Sequence, residues 1–361
     1  MFHHCRRALL CLNPNPIILT SKPFSSSSKS HPFTYNYFLN TLGFTPETAF
    51  KLSTRLRLTN SARPDSVIAL FRTHGFSNSL ISSIIKAHPL LLSFRPTETI
   101  LPKLDFFLQR GASSSDLMQI ATKNPRFLYF GLKNSITPRY NLIKSFLLSH
   151  DSTLHSVKSC PAIVYSKNPH QNIQVLIHNG VPESKVALLL RYWASTLLVD
   201  PSVFKLRVEK VKNLGFDPKS SLFVVAVRVS KTMWERKIGL YKKWGWSEDV
   251  VVSAFLKYPW CMLASEQKIE AMMEFCVNHL GWESLVLAKN PVLIMLSLEK
   301  RIIPRALVLQ ALHSKGLIKN ANSAGHFQIS EKTFLQKYVN GFAKEASHLL
   351  RLYEGGKEFA R

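Results

Sequence analysis

The 361-residue sequence lacks the short motifs that mark the common enzyme classes. It contains no Gly-x-Gly-x-x-Gly turn, no phosphate-binding loop ending in Gly-Lys-Ser/Thr and no Gly-x-Ser-x-Gly nucleophile turn. Cysteine is scarce, with five residues and no Cys-x-x-Cys pair, and the 13 histidines form no zinc-binding pattern. We therefore expect no enzymatic activity, no cofactor and no metal site, and we interpret Cys160, Cys261 and Cys276 as small buried apolar residues.

The sequence also lacks a long uninterrupted apolar run. Its longest apolar stretches, residues 186–199 and 285–298, are interrupted by Arg191 and by Lys289 with Pro291. A membrane-spanning helix needs about 20 consecutive, mainly apolar residues. We therefore expect no membrane partner, while an apolar content of 46% is ample for a continuous core.

Carboxylates are few, because 22 Asp and Glu stand against 47 Lys and Arg, for a net charge of +25. Such an excess indicates a polyanionic partner, most often nucleic acid and less often an anionic membrane surface. Before Glu47 there is no carboxylate at all, and this first segment contains Arg6-Arg7 and the run Ser25–Ser28. That composition is typical of an organellar transit peptide, which we assign to residues 1–40. The early Arg pair favours the mitochondrion over the chloroplast.

A glycine followed by an apolar residue recurs along the chain. Most intervals between these pairs are 30 to 36 residues, and one interval of 105 residues holds Gly111 and one unmarked repeat. A fixed period in this range predicts stacked repeats. The pairs are Gly43-Phe44, Gly75-Phe76, Gly180-Val181, Gly215-Phe216, Gly245-Trp246, Gly281-Trp282 and Gly316-Leu317.

A second mark, X-Pro, follows roughly a dozen residues after most of these glycines. The residue before proline is pushed out of helical geometry, so each X-Pro predicts the end of a first helix, with a second helix beyond it. Thr45-Pro46 and Asp217-Pro218 predict helix starts. By its place in the repeat, the valine-rich segment 221–229 is predicted to be a helix rather than a strand. The X-Pro pairs are His88-Pro89, Asn124-Pro125, Cys160-Pro161, Tyr258-Pro259 and Asn290-Pro291.

Cations recur in register on the second helices. Lys103, Arg139 and Arg305 directly follow a proline, and counting eight residues back from the next glycine gives Lys103, Arg207 and Lys237. Stacked repeats place equivalent residues in a row along one face, and cations near helix N-termini suit phosphate groups. We therefore predict that these five residues, the second-helix cations, contact the phosphate backbone of a nucleic acid. Asn172 and Glu270 stand where two further cations would be expected.

These residues resemble the mitochondrial transcription termination factor (mTERF) family, particularly its plant members. Leu42-Gly43-Phe44, Leu214-Gly215-Phe216 and Leu280-Gly281-Trp282 match the family's repeat start, and the Pro-Lys/Arg pairs at Lys103, Arg139 and Arg305 match its second-helix start. The resemblance covers residues 40–340. It implies a left-handed all-α solenoid of triple-helical repeats, curved into a half-doughnut with a basic groove. It also implies binding to organellar nucleic acid, commonly double-stranded DNA, and a role in transcription termination or other organellar gene expression.

The sequence leaves two other interpretations open. A pentatricopeptide-like RNA-binding solenoid, acting in intron splicing or ribosome assembly, would have a tighter period, and a tetratricopeptide-like protein scaffold need not be this basic. We expect about eight repeats over residues 41–340, ending in a capping helix pair at residues 327–338, with residues 341–361 as a C-terminal tail and the Gly355-Gly356 pair in it mobile. A monomer is expected, because a solenoid with capped ends has no free repeat face.

Overall fold

A computed structural model describes residues 31–358, which form two compact units, one ending at Pro96 and the other beginning at Thr97. The first 30 residues, which make up most of the predicted transit peptide, lie outside the described residues. Over the described range all regular structure is helical and no strand forms. This confirms the all-α helical-repeat prediction, and segment 221–229 accordingly contains a helix.

The described part of the first unit contains four α-helices and a 3₁₀ helix. Helix α1 lies within the segment assigned to the transit peptide, yet Phe38 is fully buried and its ring is 5.7 Å from that of Phe44. The Tyr37 hydroxyl donates a hydrogen bond of 2.6 Å to Asp65. Residues 32–40 therefore belong to the folded unit. The elements are α1 (Pro32–Asn40), α2 (Pro46–Ser53), α3 (Ala62–Thr73), α4 (Asn78–Ala87) and the 3₁₀ helix Pro89–Ser93.

Most repeats of the second unit have one pattern: a first α-helix, a short 3₁₀ helix and a second α-helix; between α12 and α13 there is no 3₁₀ helix. Its α-helices are α5 (Leu101–Leu108), α6 (Ser114–Lys123), α7 (Thr137–Leu147), α8 (His150–Ser159), α9 (Asn168–His178), α10 (Glu183–Trp193), α11 (Pro201–Asn213), α12 (Ser221–Ala226), α13 (Lys231–Lys243), α14 (Glu248–Lys257), α15 (Glu266–Glu274), α16 (Leu285–Lys289), α17 (Ile303–Ser314), α18 (Ala324–Gln328), α19 (Glu331–Leu335) and α20 (Ala346–Glu358). Its 3₁₀ helices are Pro125–Tyr129, Pro161–Val164, Ala194–Leu198, Pro259–Met262 and Pro291–Met295.

Each X-Pro pair ends a first helix, as the sequence predicts. Asn124, for example, has φ −161° and ψ 91°, and the 3₁₀ helix starts at the proline that follows it. The proline suits this position because its missing N–H would be unpaired at a helix start anyway. Where Ala194 replaces proline, the 3₁₀ helix still forms, and the preceding Trp193 has φ −142°.

The second helices begin earlier than the sequence suggests. A π-helical turn precedes α5, α7 and α17, at Pro96–Ile100, Leu132–Ile136 and Leu298–Ile302. Each turn is followed two residues later by a proline, which lacks an N–H and crowds the carbonyl four residues before it, so the helix widens there. Other π-helical turns lie at Phe275–His279 and Gln336–Asn340.

The recurring glycines end second helices in left-handed geometry. Gly245 has φ 81°, and beyond it the Trp246 N–H donates to the Tyr241 carbonyl at 3.2 Å, which is the bond of a Schellman cap. The rings of these two residues stack at 4.5 Å, so the aromatic residue after the glycine is a packing contact. Leu148, with φ 59°, takes the glycine's place in the unmarked repeat.

Two local predictions differ from the structure. Asp217 does not cap a helix starting at Pro218: its carboxylate accepts from the Lys219 N–H in a turn, and Ser220 caps α12 three residues later. The second difference is at the C-terminus. The described part of residues 341–361 includes α20, which contains Gly355 and Gly356 and buries Leu349 and Tyr353. A helix with a buried face is held by packing, so this segment is not a mobile tail.

Candidate nucleic-acid interface

The five second-helix cations lie inside their helices and are largely covered by protein. Lys103, Lys237 and Arg305 are only 6%, 5% and 1% exposed, while Arg139 and Arg207 are half-buried. Because π-helical turns extend α5, α7 and α17 backwards, the cations on those helices stand away from free helix N–H groups. Burial lowers the pKa of Lys103 to about 8 and also lowers the pKa of Lys237, since a buried ammonium is poorly solvated.

Four of the five donate hydrogen bonds to backbone carbonyls of the following repeat. The Lys103 ammonium donates to the Leu128 carbonyl, and Arg139 Nε donates to Ser166 O at 2.7 Å. Arg207 Nη1 lies 3.4 Å from Val227 O. Arg305 Nη1 donates to the Phe327 and Ile329 carbonyls at 3.0 and 2.8 Å. Carbonyls at the end of a short helix lack partners within it and carry partial negative charge, so a cation there is stabilising.

Two residues outside the predicted set make the same contact. Asn172 Nδ2 donates to the Leu197 and Val199 carbonyls at 2.9 and 2.7 Å, and Lys268 Nζ donates to Met295 O at 2.8 Å. The sequence interpretation left a gap at Asn172 and assigned the later position to Glu270. Measured to the accepting carbonyl of the next repeat, the separations are 25 to 27 residues. Lys103 and Arg139 lie at the same separations from their carbonyls, so the four residues make equivalent contacts.

Lys237 is the exception among the second-helix cations. One turn further along α13, the Tyr241 hydroxyl donates to Cys261 O at 2.8 Å and so occupies the carbonyl that a cation would otherwise contact. No residue within 31–358 accepts a hydrogen bond from the Lys237 ammonium or forms an ion pair with it. Phosphate contact by all five second-helix cations stays a prediction, and for four of them the structure provides a partner within the protein.

A different and more exposed set of cations marks the ends of the first helices. In the second unit each first helix carries a Lys or Arg in its last turn or just beyond, where the helix dipole favours positive charge. Counting along the second helices does not reveal this row, although each member lies two or three residues before the start of the helix that follows. We call these residues the first-helix cations: Lys123, Lys158, Arg191, Arg228, Lys257 and Lys289. In the first unit, Lys86 takes the equivalent place at the end of α4.

Three first-helix cations contact the first helix of the preceding repeat. Lys158 on α8 pairs with Asp116 on α6 at 2.6 Å, and its hydrogen bond holds the pKa of that carboxyl below the usual value. Arg191 on α10 donates to Ser152 on α8 at 3.2 Å. The guanidinium of Arg228, after α12, lies 4.1 Å from the centre of the Trp193 ring at the end of α10. Each of the three therefore reaches back to the first helix of the preceding repeat.

The other three members of the row are exposed. Lys123, Lys257 and Lys289 have no ion-pair or hydrogen-bond partner for their ammonium groups among residues 31–358. Beside Lys257, the rings of Tyr258 and Trp260 stack at 5.2 Å and remain partly exposed. An exposed ammonium retains its water and its mobile counterions, so it can exchange them for a phosphate.

Other kinds of site find little support in the described part of the chain. No group of three or more His, Cys, Asp or Glu side chains is placed to hold a metal ion within residues 31–358. None of the described helices is long and apolar enough to cross a membrane. Cys160, Cys261 and Cys276 are buried, and burial raises the pKa of Cys261 and Cys276 to about 12. These thiols are therefore poor nucleophiles at neutral pH.

Comparison with protein families gives a single assignment. The model of the mTERF family matches residues 68–272 and again residues 222–335, which together cover about three quarters of the chain. Among curated proteins, none matches the chain. mTERF proteins are organellar, nucleic-acid-binding helical-repeat proteins rather than known enzymes. The matched range holds the X-Pro breaks, all five second-helix cations and all six first-helix cations. The chain therefore belongs to the mTERF family.

Proposed function

We propose that the protein binds mitochondrial double-stranded DNA and regulates transcription, with termination as the favoured step. The observation that supports this most directly is the row of first-helix cations, which recurs once per repeat and leaves Lys123, Lys257 and Lys289 exposed without a protein partner among the described residues. Successive repeats present charge at regular intervals, as a phosphate backbone does. The net charge of +25 and membership of the mTERF family support the same proposal.

The second-helix cations have a supporting part in this proposal. Lys103, Arg139, Arg207 and Arg305 hold each second helix to the next repeat and so fix the spacing of the first-helix cations. Arg139 and Arg207 are half-buried and can also contact a phosphate with donors left free by these bonds. Lys237, which has no carbonyl partner in the described part of the chain, keeps its predicted role as a phosphate contact.

The proposal is tested by salt-dependent binding of the full chain to a duplex DNA and to a single-stranded RNA of matched sequence. In one variant Lys123, Lys257 and Lys289 are changed to Gln. A matched control changes Lys319, Lys332 and Lys344, which are also exposed, so both variants have the same reduction in charge. For duplex DNA, removing one lysine–phosphate contact lowers the slope of log K against log salt by about 0.9.

We expect the slope to fall by about 2 to 3 in the first variant and by much less in the control. Equal slopes for the two variants would show that the first-helix cations do not contact the DNA phosphates. No binding of the wild-type protein to either nucleic acid at low salt would favour a protein-binding scaffold instead.

A second candidate is binding to single-stranded RNA, with a role in intron splicing or ribosome assembly. It is favoured by the partly exposed Tyr258–Trp260 pair beside Lys257, because unpaired bases stack on aromatic side chains. Tighter binding to the RNA, weakened by Trp260→Ala, would select this candidate over the duplex.

We further propose that the transit segment ends before Pro32, earlier than the boundary at residue 40. Removing α1 would take the buried Phe38 out of the first unit and leave Asp65 without its hydrogen bond from Tyr37. N-terminal sequencing of the protein recovered from mitochondria tests this. A mature N-terminus beyond residue 40 would contradict this boundary. Recovery of the protein from chloroplasts would show that the proposed mitochondrial location is wrong.

A further inference from the structure

An open cavity of about 400 Å³ lies beside Lys237, between two consecutive repeats of the second unit. It is bounded by the start of α13 on one side and by the start of α15 on the other. Its lining includes Ser230, Arg236, Lys237, Ala264, Ser265 and Glu266. The cavity lies at the junction where a second-helix cation of the other repeats would contact a carbonyl.

Lys237 is the feature of this cavity that points to a ligand. As a whole residue it is only 5% exposed, and it lines the cavity without a hydrogen-bond acceptor or an ion pair among the described residues. Its carboxylate neighbour Glu266 is already paired with Arg236 at 2.6 Å. Glu266 also attracts the Lys237 ammonium from a distance, and an anion that entered the open cavity would give the ammonium a direct partner.

The backbone around the cavity also suits an anion. Helix α15 begins at Glu266, and its N-cap Ser265 accepts only the Lys268 N–H, at 3.2 Å. The N–H groups of the first two residues of α15 are left without partners inside the helix. Ser230 caps α13 in the same way, accepting from the Met233 N–H at 3.1 Å. Two helix starts and the Lys237 ammonium thus border one space, an arrangement that favours an oxyanion.

We propose that Lys237 and the N-terminus of α15 form a discrete site for one phosphate group. Tyr241 creates this site by occupying the Cys261 carbonyl, which leaves the lysine free for an external ligand. The volume exceeds that of a single phosphate, and the cavity is open, so a phosphodiester with its neighbouring sugars can enter. That the phosphate belongs to a nucleic acid rests on the proposed function; the phosphate site itself does not.

The test uses thermal unfolding of the full chain with inorganic phosphate as the probe, at constant ionic strength set with chloride. A ligand that binds only the folded protein raises its melting temperature. We expect phosphate to raise the melting temperature of the wild type and of Lys103→Met, and to have no specific effect on Lys237→Met. Lys237→Met should fold, because it replaces an unpaired buried charge by an apolar chain of similar length, and Lys237→Gln serves as a second variant.

Binding to duplex DNA then distinguishes a backbone phosphate of a nucleic acid from a free phosphate as the ligand. If the site holds a backbone phosphate, Lys237→Met lowers the salt slope by about 0.9. If wild type responds to inorganic phosphate but binds no nucleic acid, the site stands for a free phosphate or a nucleotide and the proposed function fails. If wild type and Lys237→Met respond identically to phosphate and have equal salt slopes, the site is refuted.

Discussion

Replacing Leu148 with glycine is expected to stabilise the protein. Leu148 ends α7 with φ 59° and ψ 1°, in the left-handed region where the equivalent residue of other repeats is glycine. A side chain with a Cβ costs roughly 1–2 kcal/mol in left-handed helical geometry. Glycine loses more conformational entropy on folding than leucine, which reduces this stabilisation by about 0.5–1 kcal/mol. The net gain is therefore ~0.5–1 kcal/mol.

Packing should not offset this gain. The Leu148 side chain is 84% exposed, so its removal takes away little apolar surface that packs against the protein. The hydrogen bond from the Leu148 N–H to Lys144 O, 2.8 Å long, belongs to the backbone and is kept by glycine. For a unit of this size, a gain of ~0.5–1 kcal/mol raises the melting temperature by about 1–3 °C.

Two controls separate backbone strain from the removal of an exposed leucine. Leu148→Ala also removes the leucine but keeps a Cβ, so it should give little of the gain. Gly111→Ala introduces a Cβ at φ 92° with no atom within 4 Å of it, so any destabilisation is conformational, at about 1 kcal/mol. Differential scanning calorimetry of the three variants measures all these effects. A melting temperature for Leu148→Gly no higher than for Leu148→Ala would refute the reasoning.

Three further predictions concern buried polar groups. The pKa of Lys103 is about 8 in the folded protein and 10.5 in the unfolded chain, so the unfolded chain binds more protons between these pH values. As pH rises through this range, the free energy of unfolding of the wild type should increase by up to ~3 kcal/mol relative to that of Lys103→Met, and Lys103→Arg should not show this increase. Melting temperatures of wild type and Lys103→Met that change in parallel with pH would disprove the prediction. Tyr241→Phe removes the hydrogen bond to the Cys261 carbonyl, and Lys237 can then donate to that carbonyl. The variant should therefore be stabilised less by phosphate than the wild type, and an unchanged phosphate effect would count against this competition. In a Cys5→Ser, Cys11→Ser background, the three buried thiols should resist a thiol reagent at pH 8 until the protein is denatured, and rapid labelling of the folded protein would show that burial does not protect them.

The repeat pattern could be predicted from the sequence because it rests on local backbone chemistry. Proline at X-Pro and glycine at the end of a second helix act within a few residues of themselves, so each mark places a helix end wherever it occurs. Ala194 and Leu148 show the limit of the rule, since the same geometry forms there without proline or glycine. Asp217-Pro218 shows the converse, because a good local start signal was overridden by Ser220 three residues later.

The burial of the second-helix cations could not be predicted from the same marks. Register along one helix fixes which residues are equivalent, but it does not say whether the next repeat covers them. Lys268 shows this: the sequence marks placed Glu270 near the equivalent position, whereas the residue that contacts the next repeat is Lys268, through the Met295 carbonyl. The first-helix row was available from sequence, because Lys123, Lys257 and Lys289 each stand two residues before a proline.

The carbonyl contacts of the second helices each join one repeat only to the next. Such nearest-neighbour coupling is described by a one-dimensional lattice, in which the boundary between folded and unfolded repeats has its own free energy. Substituting one donor, such as Asn172 or Lys268, should lower the boundary energy at that junction alone. The repeats before and after that junction would then unfold in two separate steps. A single side chain would thus determine how many repeats unfold together.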